Sequence, residues 1–370
     1  MSVPLPSNRP AVDAPPIALD AMGGDHAPEE IVSGALLAVR EHGLRPVLVG
    51  RRPEITTLLT EQGGAGEVPV VHAEETLAMH EGALASWRRP RSSVAVACKL
   101  IRRGDASALV SAGSTGGVVA TSTVRLRTQA GVMRPALAVT LPTQPRPTVL
   151  VDAGANADVK PEMLVQFAHM GAAYAHVAHG VAEPRVGMLT IGSEPGKGNK
   201  LTRKATELIA GTPAGPPKLD FQGNIEGHDL LTGAVDVVVT DGFTGNVALK
   251  TVEGTARFVF DAVRDSLTSS TLAKAGAVLQ RKPLRELRSR FDSESYGGGV
   301  LLGLNGGVVT AHGSTHAAGI ARACALAHEL AGGRITEHIR RRINASNRAP
   351  GWRPRRSHQE EQRSAPVGEE

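Results

Sequence analysis

Aromatic residues are scarce: six Phe, two Trp and two Tyr make 3% of 370 residues, too few for the stacking platforms on which binders of single-stranded nucleic acid rely. Nucleic acid is therefore not expected as a partner. Cysteine is scarcer still. Cys98 and Cys324 each lie in an Ala/Val/Leu-rich helical pattern, where buried, reduced thiols are expected, and two cysteines exclude a disulfide framework or a cysteine metal site. No stretch offers the roughly 18 consecutive apolar residues of a membrane span. The proline-rich opening, with no apolar run, is not a signal peptide. A cytoplasmic protein is expected.

Several fingerprints are also missing. Gly192-Ser-Glu-Pro-Gly-Lys-Gly198 has three residues between its first two glycines and Gly after its Lys, whereas a phosphate loop has four and then Ser or Thr. No G-x-G-x-x-G opens the first helical segment, so neither ATP nor NAD is implied. A G-x-S-x-G elbow and an H-E-x-x-H set are absent. His169, His176 and His179 share one long helical segment with Met163, Leu164 and Phe167, which suits core or surface histidines better than metal ligands.

What is present is ordinary globular composition, 41% hydrophobic and 21% charged, with 42 Gly and 24 Pro that mark many loops. The net charge is +5; eight Arg against four Glu from residue 340 onward supply +4 of it. The high pI therefore belongs to the C-terminal tail, and a solvated extension is its expected state.

Between the termini, short apolar runs alternate with longer segments of helical period. Examples are Ile17–Ala21 then Pro28–His42, Ala108–Ser111 then Gly116–Leu126, and Val235–Thr240 then Gly245–Leu267. This is a βα rhythm. It predicts an α/β fold with a Rossmann-like, doubly wound, mostly parallel sheet covered on both faces. Ala136–Pro142 and Thr148–Asp152, joined by Gln144-Pro-Arg-Pro, predict an antiparallel hairpin added to that sheet. The expected organisation is a disordered extension over 1–16, one domain over 17–345, and a disordered basic tail over 346–370.

Seven Gly-rich turns share one vocabulary: 22–26, 112–117, 152–156, 192–199, 223–227, 241–246 and 312–315. In an open α/β sheet such turns lie at the carboxyl ends of strands, where backbone N–H groups converge on anions. Any one of them is explained by turn geometry alone; seven favour a phosphate or carboxylate site. Lys197, Asn199, Asn224, Thr244, Asn246, His312 and Ser314 project from them as donors, and no obvious protein nucleophile accompanies them. One reaction suited to such a site is transfer of an acyl group from a thioester to phosphate, in which the bound anion is the nucleophile.

Ile17-Ala-Leu-Asp-Ala-Met-Gly-Gly-Asp-His-Ala-Pro28 resembles the opening signature of the bacterial phosphate acyltransferases of glycerophospholipid synthesis, the PlsX family. Arg134-Pro-Ala, Asp152-Ala-Gly-Ala-Asn156, Lys197-Gly-Asn199, Gly223-Asn-Ile-Glu226, Thr240-Asp-Gly-Phe-Thr-Gly-Asn246 and Ala311-His-Gly-Ser314 are similar to further family motifs, over residues 17 to about 343. The resemblance implies a homodimeric enzyme related in architecture to isocitrate dehydrogenases and phosphotransacetylases. It implies conversion of acyl-[acyl-carrier-protein] and inorganic phosphate to acyl phosphate, with no cofactor and no metal. A membrane glycerol-3-phosphate acyltransferase would consume the product, so peripheral contact with the inner membrane surface is implied too.

One departure stands out. Ser111-Ala-Gly-Ser-Thr-Gly-Gly117 replaces the family's Ser-Ala-Gly-Asn-Thr-Gly-Ala, so Ser114 is shorter than the usual Asn. Lys197 is expected to bind phosphate or the oxyanion, Asn246 and Asn224 the acyl carbonyl or the pantetheine amides, and His312 the departing thiolate or phosphate. Helix capping is the rival use of both asparagines. Gly23, Gly24, Asp25, Gly113, Ser114, Thr115, Gly116, Asn156, Asn199, Thr244 and Ser314 complete the expected substrate-binding set.

Residues 270–291 form a basic amphipathic hairpin, with Leu284, Leu287 and Phe291 on one helical face. It suits an anionic membrane surface, the acidic carrier or a dimer partner. Arg88 and Arg89 form a second candidate carrier surface. A non-catalytic scaffold, and an enzyme acting on acetyl-coenzyme A, are the alternatives.

Overall fold

The computed structural model describes residues 15–77, 88–211, 218–291 and 296–347. The expected extension (apart from residues 15–16) and the tail from 348 onward lie outside them, as does the side chain of Phe291. Eleven strands form one sheet: β1 (Ile17–Asp20), β2 (Pro46–Gly50), β3 (Val70–His72), β4 (Ala108–Ser111), β5 (Ala136–Leu141), β6 (Thr148–Val151), β7 (Arg185–Leu189), β8 (Asp220–Ile225), β9 (Val237–Val239), β10 (Gly299–Leu302) and β11 (Gly307–Thr310). Their order is β3-β2-β1-β4-β11-β10-β5-β6-β9-β7-β8. The helices are α1 (Glu29–His42), α2 (Arg52–Glu61), α3 (Ser93–Arg103), α4 (Thr115–Leu126), α5 (Pro161–His179), α6 (Lys200–Ala210), α7 (Gly242–Leu267), α8 (Thr271–Leu279), α9 (Arg281–Phe291), α10 (Ala317–Gly332) and α11 (Ile335–Ser346).

The fold is α/β and the sheet mostly parallel, as the alternation of apolar runs predicts. The expected β5–β6 hairpin is antiparallel, and β10 adds two further antiparallel pairings, to β11 and to β5. Three antiparallel pairings in succession reverse the strand direction, so β6-β9-β7-β8 runs opposite to β3-β2-β1-β4-β11. Register then decides where the carboxyl ends fall. Ser111, Thr310, Gly299, Val139, Leu150 and Val238 occupy one row across the sheet. Ser111 and Thr310 end their strands, and Leu150 and Val238 lie one residue from the ends of theirs. The carboxyl ends of both halves therefore meet at the junction. The seven turns do not share one edge of a single parallel sheet, which corrects the sequence-based picture.

A second correction concerns residues 223–227. Gly223 and Asn224 lie inside β8, paired with Gly187 and Met188 of β7, so Asn224 does not project from a turn. The glycine accommodates a left-handed φ of +89° beside a register shift at Val186/Gly187.

One large core cluster, including Ile17, Leu164, Phe167, Tyr174, Ile320 and Ile339, ties α1, α5, α10 and α11 to one face. The other face carries two separate clusters. One holds Cys98, Leu109, Val118 and Leu301 under α3 and α4; the other holds Leu137, Leu150, Leu230 and Val238 beside the start of α7.

The expectation of structural histidines can be tested in α5. His169 is 2% exposed, and neither ring nitrogen has a hydrogen-bond partner. Burial, with Arg342 adding its charge, pushes its pKa down to about 3. The unfolded chain takes up a proton below pH 6.5 and the folded chain refuses it, so stability is lost as pH falls from 6.5 toward 3, by ~1.4 kcal/mol per pH unit. His169→Leu should therefore lose about 2 kcal/mol less than the parent between pH 7 and pH 5. Urea midpoints at the two pH values check this; equal losses in both proteins would sink the assignment.

Candidate active site

The turns after β4, β11, β6 and β9 line one cavity of about 690 Å³ between α4 and α7. Of the residues singled out from sequence, Thr115, Gly116, Asn156, Asn246 and His312 line it. The two buried aspartates that end β1 and follow β6 explain how the turns hold their shape. Asp152 is fully buried, and its Oδ1 accepts from the N–H groups of Leu137 (2.9 Å), Gly154 (3.1 Å) and Ala155 (2.9 Å). Its Oδ2 accepts from Asn156 N and Asn156 Nδ2, both at 2.8 Å. Asp20 accepts from Ser111 Oγ (2.6 Å) and Met22 N (3.1 Å). Burial pushes both carboxyl groups above the usual carboxylate range, against the pull of these donors.

Asn156 has its amide committed, donating to Pro135 O at 2.7 Å as well as to Asp152. It joins the β5 entrance to the β6 turn. The start of α7 packs against that same turn without side chains between. A Cβ on Gly242 would fall 2.5 Å from Asn156 O, and one on Gly245 would collide with Asp152 O.

The helix N-termini differ in what they offer an anion. Asp241 caps α7, accepting from Thr244 N and Thr244 Oγ1 at 2.8 Å each, so Thr244 is occupied within the cap. Asn199 caps α6, accepting from Thr202 N at 2.9 Å. Glu30 accepts from Ala317 N at the start of α10 (2.7 Å). At α4, Ser114 makes no side-chain cap bond, which leaves the first N–H groups of that helix and its positive dipole end for a ligand. Thr115 and Gly116 present this end to the cavity.

Charge sharpens the picture. Lys250 and Glu253 line the cavity and pair with each other at 2.7 Å. Arg134, absent from the site expected from sequence, also lines it, and among the described residues it has no carboxylate within 4 Å. Its signal was an Arg directly ahead of Pro135 and β5, with no neighbouring acid. The Asn246 side chain makes no hydrogen bond among the described residues and lies beside Gly154. His312 Nδ1 sits 2.9 Å from Ser314 Oγ. Among the described residues no Ser or Cys lines the cavity. Cys98 and Cys324 are buried, with thiols pushed up to about 12 by desolvation.

The other expected residues lie elsewhere. Gly23, Gly24 and Asp25 brace the cavity turns from behind: Asp25 N donates to Gly313 O at 2.8 Å, and a Cβ on Gly23 would fall 2.8 Å from Gly113 N. Ser114, Thr244 and Ser314 adjoin lining residues in sequence without lining the cavity themselves, and Gly113 lies one residue farther from it. Lys197 and Asn199 stand exposed in the turn between β7 and α6, outside the cavity lining. Asn224 is outside it too, its Nδ2 donating to Glu194 O (3.0 Å) and so clamping that turn. Arg88 is exposed, and Arg89 donates to Thr76 O at 3.1 Å. Leu284 is half-buried and Leu287 45% exposed on α9.

Residues 16–338 match the family described as Fatty acid synthesis protein. The chain is 68% identical to a phosphate acyltransferase of Thermobifida fusca over 98% of its length and 100% of the relative's. It is 45% identical to another from Pelotomaculum thermopropionicum, covering 89% of this chain and 95% of that one. Among solved structures, a phosphotransacetylase from Streptococcus pyogenes superposes with TM-score 0.60 at 19% identity, over 86% of this chain and 94% of its own. A branched-chain phosphotransacylase from Enterococcus faecalis does so with TM-score 0.52 at 14% identity, over 85% and 99%. These structures share the fold. On the strength of the sequence matches, the chain belongs to the family of the phosphate acyltransferases and is an enzyme of the transferase class.

Proposed function

We propose that the protein transfers a fatty acyl group from acyl-[acyl-carrier-protein] to inorganic phosphate, giving acyl phosphate and free carrier thiol. The observation that carries this reading is the pairing, in one cavity, of an uncapped helix N-terminus with an arginine that has no acidic partner among the described residues, where no described Ser or Cys lines the cavity. Phosphate seats at the start of α4 beside Arg134, and a phosphate oxygen attacks the thioester carbonyl carbon. The Asn246 amide donates to the developing oxyanion. As the intermediate collapses the C–S bond breaks, and the thiolate leaves with the electron pair and takes a proton from water or from His312. Ser114 makes no side-chain cap bond and so leaves the N–H groups at the start of α4 to the anion. Lys197 and Asn199, exposed at the neighbouring turn that Asn224 clamps, suit the phosphodiester of the carrier's prosthetic arm.

Three further parts of the reading have support in the surface. Phe243, Val247, Phe258, Val259 and Val263 leave α7 with exposed apolar side chains, as a homodimer would require. Val278 and Leu279, 71% and 87% exposed at the end of α8, adjoin exposed Arg281, Lys282 and Arg285 on α9, a composition that suits an anionic membrane surface where a glycerol-3-phosphate acyltransferase would take the product. No helix among the described residues is long and apolar enough to cross a membrane. Arg88 and the α9 cations are the surfaces offered to an acidic carrier.

The test is release of free thiol from palmitoyl-carrier with and without phosphate, trapping the product with hydroxylamine. Phosphate-dependent release with hydroxamate formation is expected. Release only from coenzyme A thioesters would replace the donor, and no release from a folded sample would favour a scaffold.

A further inference from the structure

The cavity is larger than phosphate and a thioester carbonyl require, and its two ends differ in chemistry. Its anion-binding groups lie at the starts of α4 and α7. Farther along the same helices Val119 and Val124 on α4 and Leu249 and Val252 on α7 line it, with Leu137 and Val139 of β5 beneath; Thr123 and the mutually paired Lys250 and Glu253 are the charged or polar side chains on that stretch of the two helices. Counting 1.5 Å per residue, the lining runs ~12 Å from Gly116 to Val124 and ~15 Å from Asn246 to Ala256.

The reason for the gap lies in the sheet. Strands β10 and β5 join two half-sheets, and the buried residues on this face fall into two separate core clusters, one on either side of the join. The floor is kept low by a glycine. A Cβ on Gly299 would fall 2.9 Å from Leu137 Cδ1 and 3.4 Å from Val139 Cγ2, filling the space between them. Val124 is left 50% exposed at the far end. An apolar trough open along one side and ending at an anion seat is shaped for a ligand with a long hydrocarbon tail and a polar head.

We propose that this trough between α4 and α7 is the acyl-chain site, and that its floor at Val139 and Gly299 sets the length of chain accepted. This rests on the acyl-transfer reading above and adds to it the place of the chain. Each methylene buried in the trough is worth up to about fourfold in binding, so kcat/KM should climb with chain length until the trough is full and then level off.

The experiment compares carrier thioesters of 8, 12 and 16 carbons in the parent protein and in two variants, Val139→Phe at the floor and Val124→Trp on the exposed side of α4. The quantity read is the ratio of kcat/KM for 16 carbons to that for 8. It should fall at least tenfold in Val139→Phe and severalfold in Val124→Trp, which sits where folding is least at risk. Ratios within twofold of the parent in both would overturn the proposal. Direct binding of a fluorescent palmitate analogue separates this outcome from failure of the transfer reading. If no thioester is turned over, weaker binding by Val139→Phe still supports the trough, and equal binding removes it.

Discussion

Arg134→Ala is expected to lower kcat/KM for phosphate about 100-fold, mostly through a higher KM for phosphate, with no change in melting temperature. A preorganised donor aimed at developing charge is worth roughly 10²–10³ in rate, and the lower end applies because Arg134 is exposed in the free protein. Stability should not respond, since the guanidinium has no ion pair to lose among the described residues and covers no core. Arg134→Lys should restore only part of the loss, because an ammonium cannot make the paired contacts of a planar fork. Initial rates against phosphate concentration decide the matter; a loss below threefold would move the anion seat away from Arg134.

The second large effect is expected at a residue with no side chain. Gly245→Ala should cost about 3 kcal/mol of stability and about 100-fold in turnover. The new methyl would overlap Asp152 O, and that carbonyl cannot step aside, because the adjoining carboxylate is held by four N–H groups and an amide. The helix must move instead, taking Asn246 with it. Gly254→Ala on the same helix meets nothing within 4 Å and should be neutral or stabilising by up to ~1 kcal/mol. Thermal melts and turnover of the two variants form the comparison, and a Gly245→Ala enzyme indistinguishable from Gly254→Ala would show that the close approach is dispensable.

Much of this architecture was legible in the sequence. The strands β1, β4 and β6 sit within a residue of their apolar runs, because central strands buried on both faces must be continuously apolar. The end of the first helical segment at His42 was legible for a local reason, Gly43 after it adopting a left-handed φ of +63°. The strands β8 and β10 were not. Asp220–Ile225 is an edge strand with polar residues and a bulge, and Gly299–Leu302 is short and follows three residues that include two glycines. The reversal of the second half-sheet followed from β10, so it too was out of reach of local patterning.

The site divides the same way. Backbone turns announce themselves through glycine, and Asn156, Asn246 and His312 were found because they sit in them. Arg134 was overlooked as a candidate because its lack of an acidic partner among the described residues depends on residues distant in the chain. Lys197 attracted attention as a cation between glycines, yet Asn199 and Asn224 shape that turn outside the cavity. Register alone distinguishes the two neighbourhoods.

The placement of β10 and β11 has a consequence in time. The first half-sheet is assembled from residues 17 to 111 and then waits for an edge strand that begins at residue 307, while the second, from residues 136 to 239, waits for one that begins at residue 299. A ribosome that has released 240 residues has delivered every strand of the sheet except β10 and β11, which lie between β4 and β5. Such long-range closure is slow relative to local pairing, and unpaired strand edges invite contact with other chains during the interval. The cavity itself, bounded by Gly299, Thr310 and His312, comes into being only at that last step.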